Sequence, residues 1–480
     1  MTKPLSHPMT FGVSVRVALA LAACGLAGCS LVNAIDVCER EAGPTYEVNV
    51  RGEGAQAVSG AQPIAALATG GALVVFRSAV AADDDGTGPS SIRVAVLDSQ
   101  GRPAERTCDA PGENEIMTLS AGIRLDEASV AMPGTTDEEV GLLVFSTRTP
   151  AGRTVRGAFV SQTGCLRALS GMSFEIGDVG PSTASLATLP SVAWLGNSTF
   201  LVVWTHSVLS PPTGIVSEVR MRVVRASVYE PEFLPTMRDA AGGSAVVLGR
   251  SSVTGSGRVD SLGNGRAVVM WNEVTGRLVP YFSVVDDRLA TIVAAQAVDS
   301  VPSEGVRPPT ARGFAAGFDG SHILVTWSLL TEDGTIRVKG RYFDETGASL
   351  GLRASPEGAP FVVRDDVTPE DEGRVALTAL AGGGFLVGME NIGGRDGRSQ
   401  TLVARLHGAD GGPAFSNLAC GAESFSLATS DGDIAEPAVA RLVDGSVLVA
   451  YTSDGATGSD LSGTGVRATV LAPRVLLPLP

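Results

Sequence analysis

The chain has 480 residues, with 36 lysines and arginines against 51 aspartates and glutamates, for a net charge of −15. This excess of acidic residues argues against a nucleic-acid-binding protein, which needs a basic surface, and against electrostatic docking on anionic lipid headgroups. The 59 glycines predict many tight turns.

The first residues predict an export signal rather than part of the fold. Lys3 and Arg16 give a basic start, an apolar run covers residues 17–23, and small residues precede Cys29. This order is typical of a secretory signal peptide. The apolar run is too short for a comfortable transmembrane helix, which needs about 20 residues.

The sequence Leu26-Ala27-Gly28-Cys29 resembles the lipobox of bacterial lipoproteins. The resemblance implies that residues 1–28 are removed and that acyl chains on Cys29 anchor the mature protein to a membrane. Because Ser30 and not aspartate follows the cysteine, it also implies an exported protein held at the outer membrane where one exists. The alternative is ordinary secretion with an unmodified cysteine. Residues 29–45 are then a tether or linker, and residues 46–480 are the folded domain.

A short apolar strand that ends in a bulky residue recurs seven times in that domain. Its copies are about 60 positions apart, a regular period of the kind that indicates a repeat architecture. The bulky residues are expected to pack between neighbouring units. They are Phe76, Phe145, Trp204, Trp271, Trp327, Met389 and Tyr451.

Each repeat unit predicts four antiparallel strands. The recurring apolar strand is preceded by a small-apolar strand such as Pro63–Leu67 and a glycine-rich hairpin turn. An alternating, β-branched strand such as Ile92–Val96 follows, and a short strand such as Phe174–Ile176 closes the unit. Seven such units predict an all-β chain folded as a seven-bladed β-propeller. Tandem immunoglobulin-like sandwiches need about 100 residues each and do not fit the period.

The two ends of the domain predict how the ring closes. The last unit has three strands and stops soon after Leu471, whereas an extra strand, Tyr46–Val50, precedes the first unit. We therefore expect the N-terminal strand to complete the C-terminal blade. A linear solenoid would instead need polar caps at both ends.

Four cysteines remain besides Cys29, namely Cys38, Cys108, Cys165 and Cys420. An even number in an exported chain suggests two disulfides, with three possible pairings. In a closed ring, the pairs Cys38–Cys420 and Cys108–Cys165 would each join neighbouring blades. The spacing does not match a zinc site.

Motifs of catalysis are sparse. His206, His322 and His407 lie in different units, as isolated polar residues would.

An arginine recurs in the third strands, where we expect it to pair with carboxylates between blades. Several loops after second strands are acidic and either bind calcium or are simply solvated; otherwise no cofactor is expected. The arginines are Arg93, Arg156, Arg220, Arg337 and Arg467, and the acidic loops contain Asp83–Asp85, Glu332–Asp333, Asp396, Asp454 and Asp460.

Two functions fit these patterns. The first is a monomeric, lipid-anchored binding or scaffold module of the cell envelope that meets a protein or a glycan. The alternative is an extracytoplasmic hydrolase, similar to glycosidases, that uses carboxylates at the axial opening. A cluster of non-repeating Asp, Glu, Tyr or Arg around that opening would favour the enzyme, whereas a face with an apolar patch and no pocket would favour the binding module.

Overall fold

A computed structural model describes the chain over most of the predicted domain. All regular secondary-structure elements within the described ranges are β-strands. No helix in these ranges is long and apolar enough to cross a membrane. The described residues are 44–48, 56–58, 60–79, 90–104, 108, 115–117, 124–149, 152–167, 173–177, 186–210, 214–226, 231–233, 246–251, 257–274, 278–299, 313–330, 336–367, 374–391, 400–414, 424–430, 434–454 and 464–472.

Seven four-stranded antiparallel blades follow one another along the chain, and their strands are numbered here from the axis outward. Blade 1 comprises Ile64–Ala66, Ala72–Ala79, Ser90–Leu97 and Glu115–Met117. Blade 2 comprises Arg124–Ala131, Val140–Thr149, Gly152–Ser161 and Phe174–Glu175. Blade 3 comprises Leu186–Gly196, Thr199–Ser210, Gly214–Ala226 and Val246–Ser251. Blade 4 comprises Arg258–Gly263, Arg266–Val274, Leu278–Asp286 and Thr291–Ala297.

The remaining blades repeat the same order. Blade 5 comprises Phe314–Phe318, Ile323–Leu330, Ile336–Phe343 and Phe361–Val367. Blade 6 comprises Val375–Ala379, Phe385–Asn391, Gln400–His407 and Ser424–Ser430. Blade 7 comprises Ile434–Arg441, Val447–Asp454, Thr464–Leu471 and, from the other end of the domain, Tyr46–Glu47. Four short strands lie beside these blades: Gln56–Ala57, Leu166–Arg167, Pro231–Phe233 and Pro413–Ala414.

The hydrophobic core lies between the blades. Seven clusters of buried side chains are present, and each cluster is shared by two consecutive blades, including blades 7 and 1. The second strands are apolar on both faces because a blade covers each side. All seven bulky residues at their ends are at most 3% exposed, which confirms that they pack between blades. The chain is therefore a closed seven-bladed β-propeller.

The N-terminal strand closes the ring as predicted. Tyr46 pairs with Ala468 and Glu47 with Arg467 in antiparallel register, and the backbone N–H of Val48 donates to the carbonyl of Val466 at 2.9 Å. Val48 is 1% exposed and belongs to the cluster between blades 7 and 1. This closure removes the open sheet edge that would otherwise end the repeat.

Among the described residues, one disulfide links neighbouring blades. Cys108 and Cys165 are bonded with their Cα atoms 5.6 Å apart, so the third-to-fourth connection of blade 1 is tied to blade 2. Cys29, Cys38 and Cys420 lie outside the described residues, as do all the predicted acidic loops except Asp454, which ends a strand.

Two of the five recurrent arginines, Arg156 and Arg220, bind within their own blades and not to carboxylates of a neighbouring blade. Arg220 pairs with Glu218 of its own strand at 2.8 Å, and Arg156 binds Ser173 of its own blade. Three other third-strand arginines reach a neighbouring blade, where each donates to a backbone carbonyl. The inter-blade pairs are Arg222 with Ile176, Arg341 with Val298 and Arg405 with Val363. In these three pairs the acceptor is a backbone carbonyl in or directly after the fourth strand of the neighbouring blade.

Candidate functional site: a polar cavity on the propeller axis

A cavity of about 310 Å³ lies on the axis, where the first strands end. Every blade contributes one residue to a ring around it, at the first-strand position that pairs with the first residue of the recurring apolar motif. We call this set the inner ring. Its members are Ala65, Ala131, Ala193, Asp260, Gly317, Thr378 and Ala440.

Asp260 breaks the pattern of the inner ring. The other members are alanine, glycine or threonine, because the first strands converge at the axis and leave little room. A residue that serves only the repeat would recur in it, so a single carboxylate at this position marks a property of blade 4 alone. The paired residue in the second strand, Val268, is ordinary for its motif.

The next residues along the first strands form a second ring at the open end of the cavity. Two of its members, Trp194 of blade 3 and Phe318 of blade 5, are partly exposed aromatic side chains, and they come from the two blades that flank Asp260. The other members are Ala66, Met132, Ser261, Ala379 and Arg441. One side of the cavity therefore carries two aromatic rings and a carboxylate, while the opposite side is mostly alanine.

The carboxylate of Asp260 accepts few hydrogen bonds from the described residues. The backbone N–H of Ser261 donates to Oδ1 at 2.9 Å, which leaves Oδ2 without a donor among the described residues. Burial raises the pKa of Asp260 to about 7, although the positive charge of Arg258 opposes this rise. The carboxyl group consequently titrates near neutral pH, where a general acid or a pH-sensitive ligand contact would need it.

Arg258 constricts the axis below Asp260. Its side chain is 9% exposed and reaches across two blades, donating to the carbonyls of Phe314 and of Val375, the latter at 3.3 Å. A smaller cavity of about 20 Å³ lies beyond it, lined in part by Arg374 and Glu436. The corresponding positions of the other blades carry serine or alanine, such as Ser191 and Ala438, or, in blade 1, Pro63.

Backbone groups add to the polarity of the channel. The inner edges of the first strands have no sheet partner over most of their length, so some of their groups bond from blade to blade. Val130 N donates to Gln62 O at 2.9 Å, Ser129 Oγ to Pro190 O at 2.8 Å, and Val259 N to Ser191 Oγ at 3.2 Å. These hydrogen bonds join neighbouring first strands around the axis and hold the polar groups there in fixed positions.

The histidines do not converge. His206 and His407 are buried, at 1% and 2% exposure, and His322 lies 3.3 Å from Asp319 in a turn of blade 5. Among the described residues, no group of three or more histidines, cysteines, aspartates or glutamates is placed to hold a metal ion.

Asp260 was not among the residues predicted from the sequence, although the sequence contains a signal for it. Asp260 stands eight residues before Val268, the start of its motif, and most other blades carry a small residue at that spacing. Aligning the repeats on their apolar motif exposes it. Trp194 was not predicted to line a site, because its exposure depends on neighbouring blades.

No protein-family model matches the chain, and no curated protein matches it either. Among solved structures, the chain is similar to NanB with Optactamide, at 9% identity and a TM-score of 0.43 over 85% of this chain and 84% of that one. It is also similar to α-L-arabinanase of Penicillium chrysogenum complexed with arabinobiose, at 10% identity and a TM-score of 0.39 over 71% of this chain and 92% of that one. A Bacillus subtilis levansucrase mutant shares 10% identity, with a TM-score of 0.33 over 58% of this chain and 82% of that one.

Proposed function

We propose that the protein is a lipid-anchored binding module of the cell envelope, and that its axial cavity takes a terminal unit of a glycan. The observation that carries the proposal is the non-repeating set Trp194, Asp260 and Phe318 around a cavity of about 310 Å³. A concave site with apolar walls and a few convergent polar groups suits a small ligand better than a flat protein interface. Sugars match this set because they present hydroxyl donors and an apolar ring face together.

In this proposal each group has a distinct part. The free oxygen of Asp260 accepts a hydroxyl hydrogen bond, and the aromatic side chains of Trp194 and Phe318 cover the ring. The small residues opposite leave space for the sugar. Arg258 blocks deeper entry and keeps the ligand at the open end, so the rest of the glycan extends away from the propeller.

The test is saccharide binding by the full chain purified in mild detergent, with calorimetry against envelope-type oligosaccharides. Asp260→Asn, which keeps the shape but weakens the acceptor, should lower affinity about tenfold, equivalent to a charge-assisted hydrogen bond of about 1.4 kcal/mol. Asp287→Asn is the matched control, since Asp287 is an exposed residue of the same blade outside the cavity. Equal saccharide affinity in wild type and Asp260→Asn would contradict the assignment of Asp260 to the binding site.

A second candidate is a glycoside hydrolase, and the near-neutral pKa of Asp260 favours it. Glycosidases generally need two carboxylates, and Asp260 is the one acidic residue that lines the cavity within the described part of the chain. For this reason binding is preferred. Release of a chromophore from aryl glycosides, lost in Asp260→Asn but kept in Asp287→Asn, would reverse the preference.

The anchor and the location also belong to the proposal. Lipid on Cys29 would place the propeller at the outer membrane, facing glycans of the envelope, and a monomer would suffice for binding. Incorporation of a labelled fatty acid should occur in the wild type and be absent in Cys29→Ala, which should also leave the membrane fraction. Equal labelling of both chains would refute lipidation at this residue.

A further inference from the structure

One connection departs from the repeat at the open end of the cavity. In blade 2, residues 132–139 join the first strand to the second, and this connection is longer than its counterparts. The corresponding connections in the other blades are 67–71, 197–198, 264–265, 319–322, 380–384 and 442–446. A longer loop confined to one blade serves that blade's surroundings and not the propeller architecture.

The loop holds Trp194 of the next blade. Oε2 of Glu138 accepts the indole N–H of Trp194 at 3.0 Å, and the same oxygen accepts the backbone N–H of Ser198 at 2.7 Å. The loop backbone is also close to the opposite edge of the indole of Trp194. A Cβ placed on Gly134 would lie 3.3 Å from Cζ3 of that indole. The indole is thus fixed at both edges while it lines the cavity.

We infer that residues 132–139 hold Trp194 as a stacking platform for a single pyranose ring, with Glu138 as the positioning residue. The inference rests on the proposed glycan-binding function and narrows it. Pyranoses with equatorial substituents have a continuous apolar face of C–H groups, which matches an aromatic ring, whereas acyclic polyols have none. Fixing the indole beforehand removes the cost of ordering it when the sugar binds.

The positioning role can be tested without any ligand. The chain has four tryptophans, and Trp204, Trp271 and Trp327 are at most 2% exposed, so changes in quenching by acrylamide report on Trp194. In Glu138→Ala, quenching of Trp194 should rise and its fluorescence anisotropy should fall. Glu138→Gln retains an acceptor oxygen and should restore most of the wild-type signal. Asp137→Ala, an exposed neighbour in the same loop, should change nothing.

Binding of chitotriose, cellotriose and the acyclic polyol sorbitol then tests the ligand class. Wild type should bind at least one trisaccharide and not sorbitol. Trp194→Ala should lower the affinity about tenfold, in line with the upper range for an aromatic contact. Glu138→Ala should lower it about threefold, with Glu138→Gln and Asp137→Ala close to wild type.

These measurements distinguish the positioning role of Glu138 from the role of Trp194 as a stacking platform. Unchanged quenching and anisotropy in Glu138→Ala would overturn the positioning role, whatever binds. If Glu138→Ala raises the quenching of Trp194 but leaves the trisaccharide affinity unchanged, the role of Trp194 as a stacking platform would be overturned. If neither trisaccharide binds the wild type, the proposed function fails for this class and the stacking platform falls with it, while the quenching data still decide what holds Trp194.

Discussion

Nη1 of Arg374 lies 2.8 Å from Oε1 of Glu436, and this ion pair joins the beginnings of the first strands of blades 6 and 7. The same nitrogen is 3.7 Å from Oε1 of Glu390, which also accepts the backbone N–H of Glu436 at 2.6 Å. Glu436 has a φ of 61° within a β-bulge, a conformation that costs energy for a residue other than glycine. The arginine therefore holds a strained bulge beside the axis.

Replacing Arg374 by methionine should destabilise the propeller by about 3 kcal/mol, because the charge of buried Glu390, 2% exposed, loses its cation. The midpoint of denaturant unfolding measures this. Arg353→Met is the matched control, since its ion pair with Asp410 has side chains 67% and 57% exposed and should cost under about 1 kcal/mol. Equal losses in the two variants would contradict a special role for Arg374.

Asp260 should make stability depend on pH. Because its pKa is raised to about 7 in the folded chain, the folded state binds more protons than the unfolded state between about pH 4 and pH 7. The stabilising contribution is complete below that window and is lost as pH rises through it. Asp260→Asn should therefore be more stable than wild type at pH 8, by up to a few kcal/mol, and equal to it in acid. Thermal unfolding across this range checks the sign, and a variant less stable than wild type at high pH would refute it.

His407 should produce the opposite dependence. Burial, together with the charge of Arg405, lowers its pKa to about 4, and the centre of its ring lies 5.3 Å from that of Phe361. The unfolded state binds the proton first as pH falls, so stability should drop by about 3 kcal/mol between about pH 6.5 and pH 4. His407→Phe should flatten this part of the curve. An unchanged pH profile in that variant would show that another group titrates.

The disulfide between Cys108 and Cys165 should be a major source of stability. It closes a loop with a sequence separation of 57, for which loss of loop-closure entropy predicts about 4 kcal/mol. Cys108→Ser with Cys165→Ser should lower the unfolding midpoint accordingly, and wild type and the double variant should have the same midpoint once both are treated with reductant. If reductant lowers the midpoint of the double variant as well, a second disulfide also contributes.

Some residues of the candidate site could be identified from the sequence alone, whereas others could not. Asp260 could be found by aligning repeats, because the strands that surround an axis must carry small residues there. The hold of Glu138 on Trp194 could not, since the two residues are 56 positions apart and belong to different blades. The same holds for Arg374, whose partners Glu390 and Glu436 come from a second strand and a neighbouring blade.

The sequence by itself determined the number of blades, their four strands and the closure by Tyr46–Glu47. These features follow from local patterns, namely apolar runs that need cover on both faces and turn residues that end them, repeated along the chain. The sequence left three cysteine pairings open, and the tertiary structure confirmed the expected bond between Cys108 and Cys165. Only the tertiary structure decided that Arg222, Arg341 and Arg405 bind carbonyls of a neighbouring blade, and that Trp194, Asp260 and Phe318 share one cavity. Those facts depend on which side chains meet across blades, and that geometry is set by the closed ring.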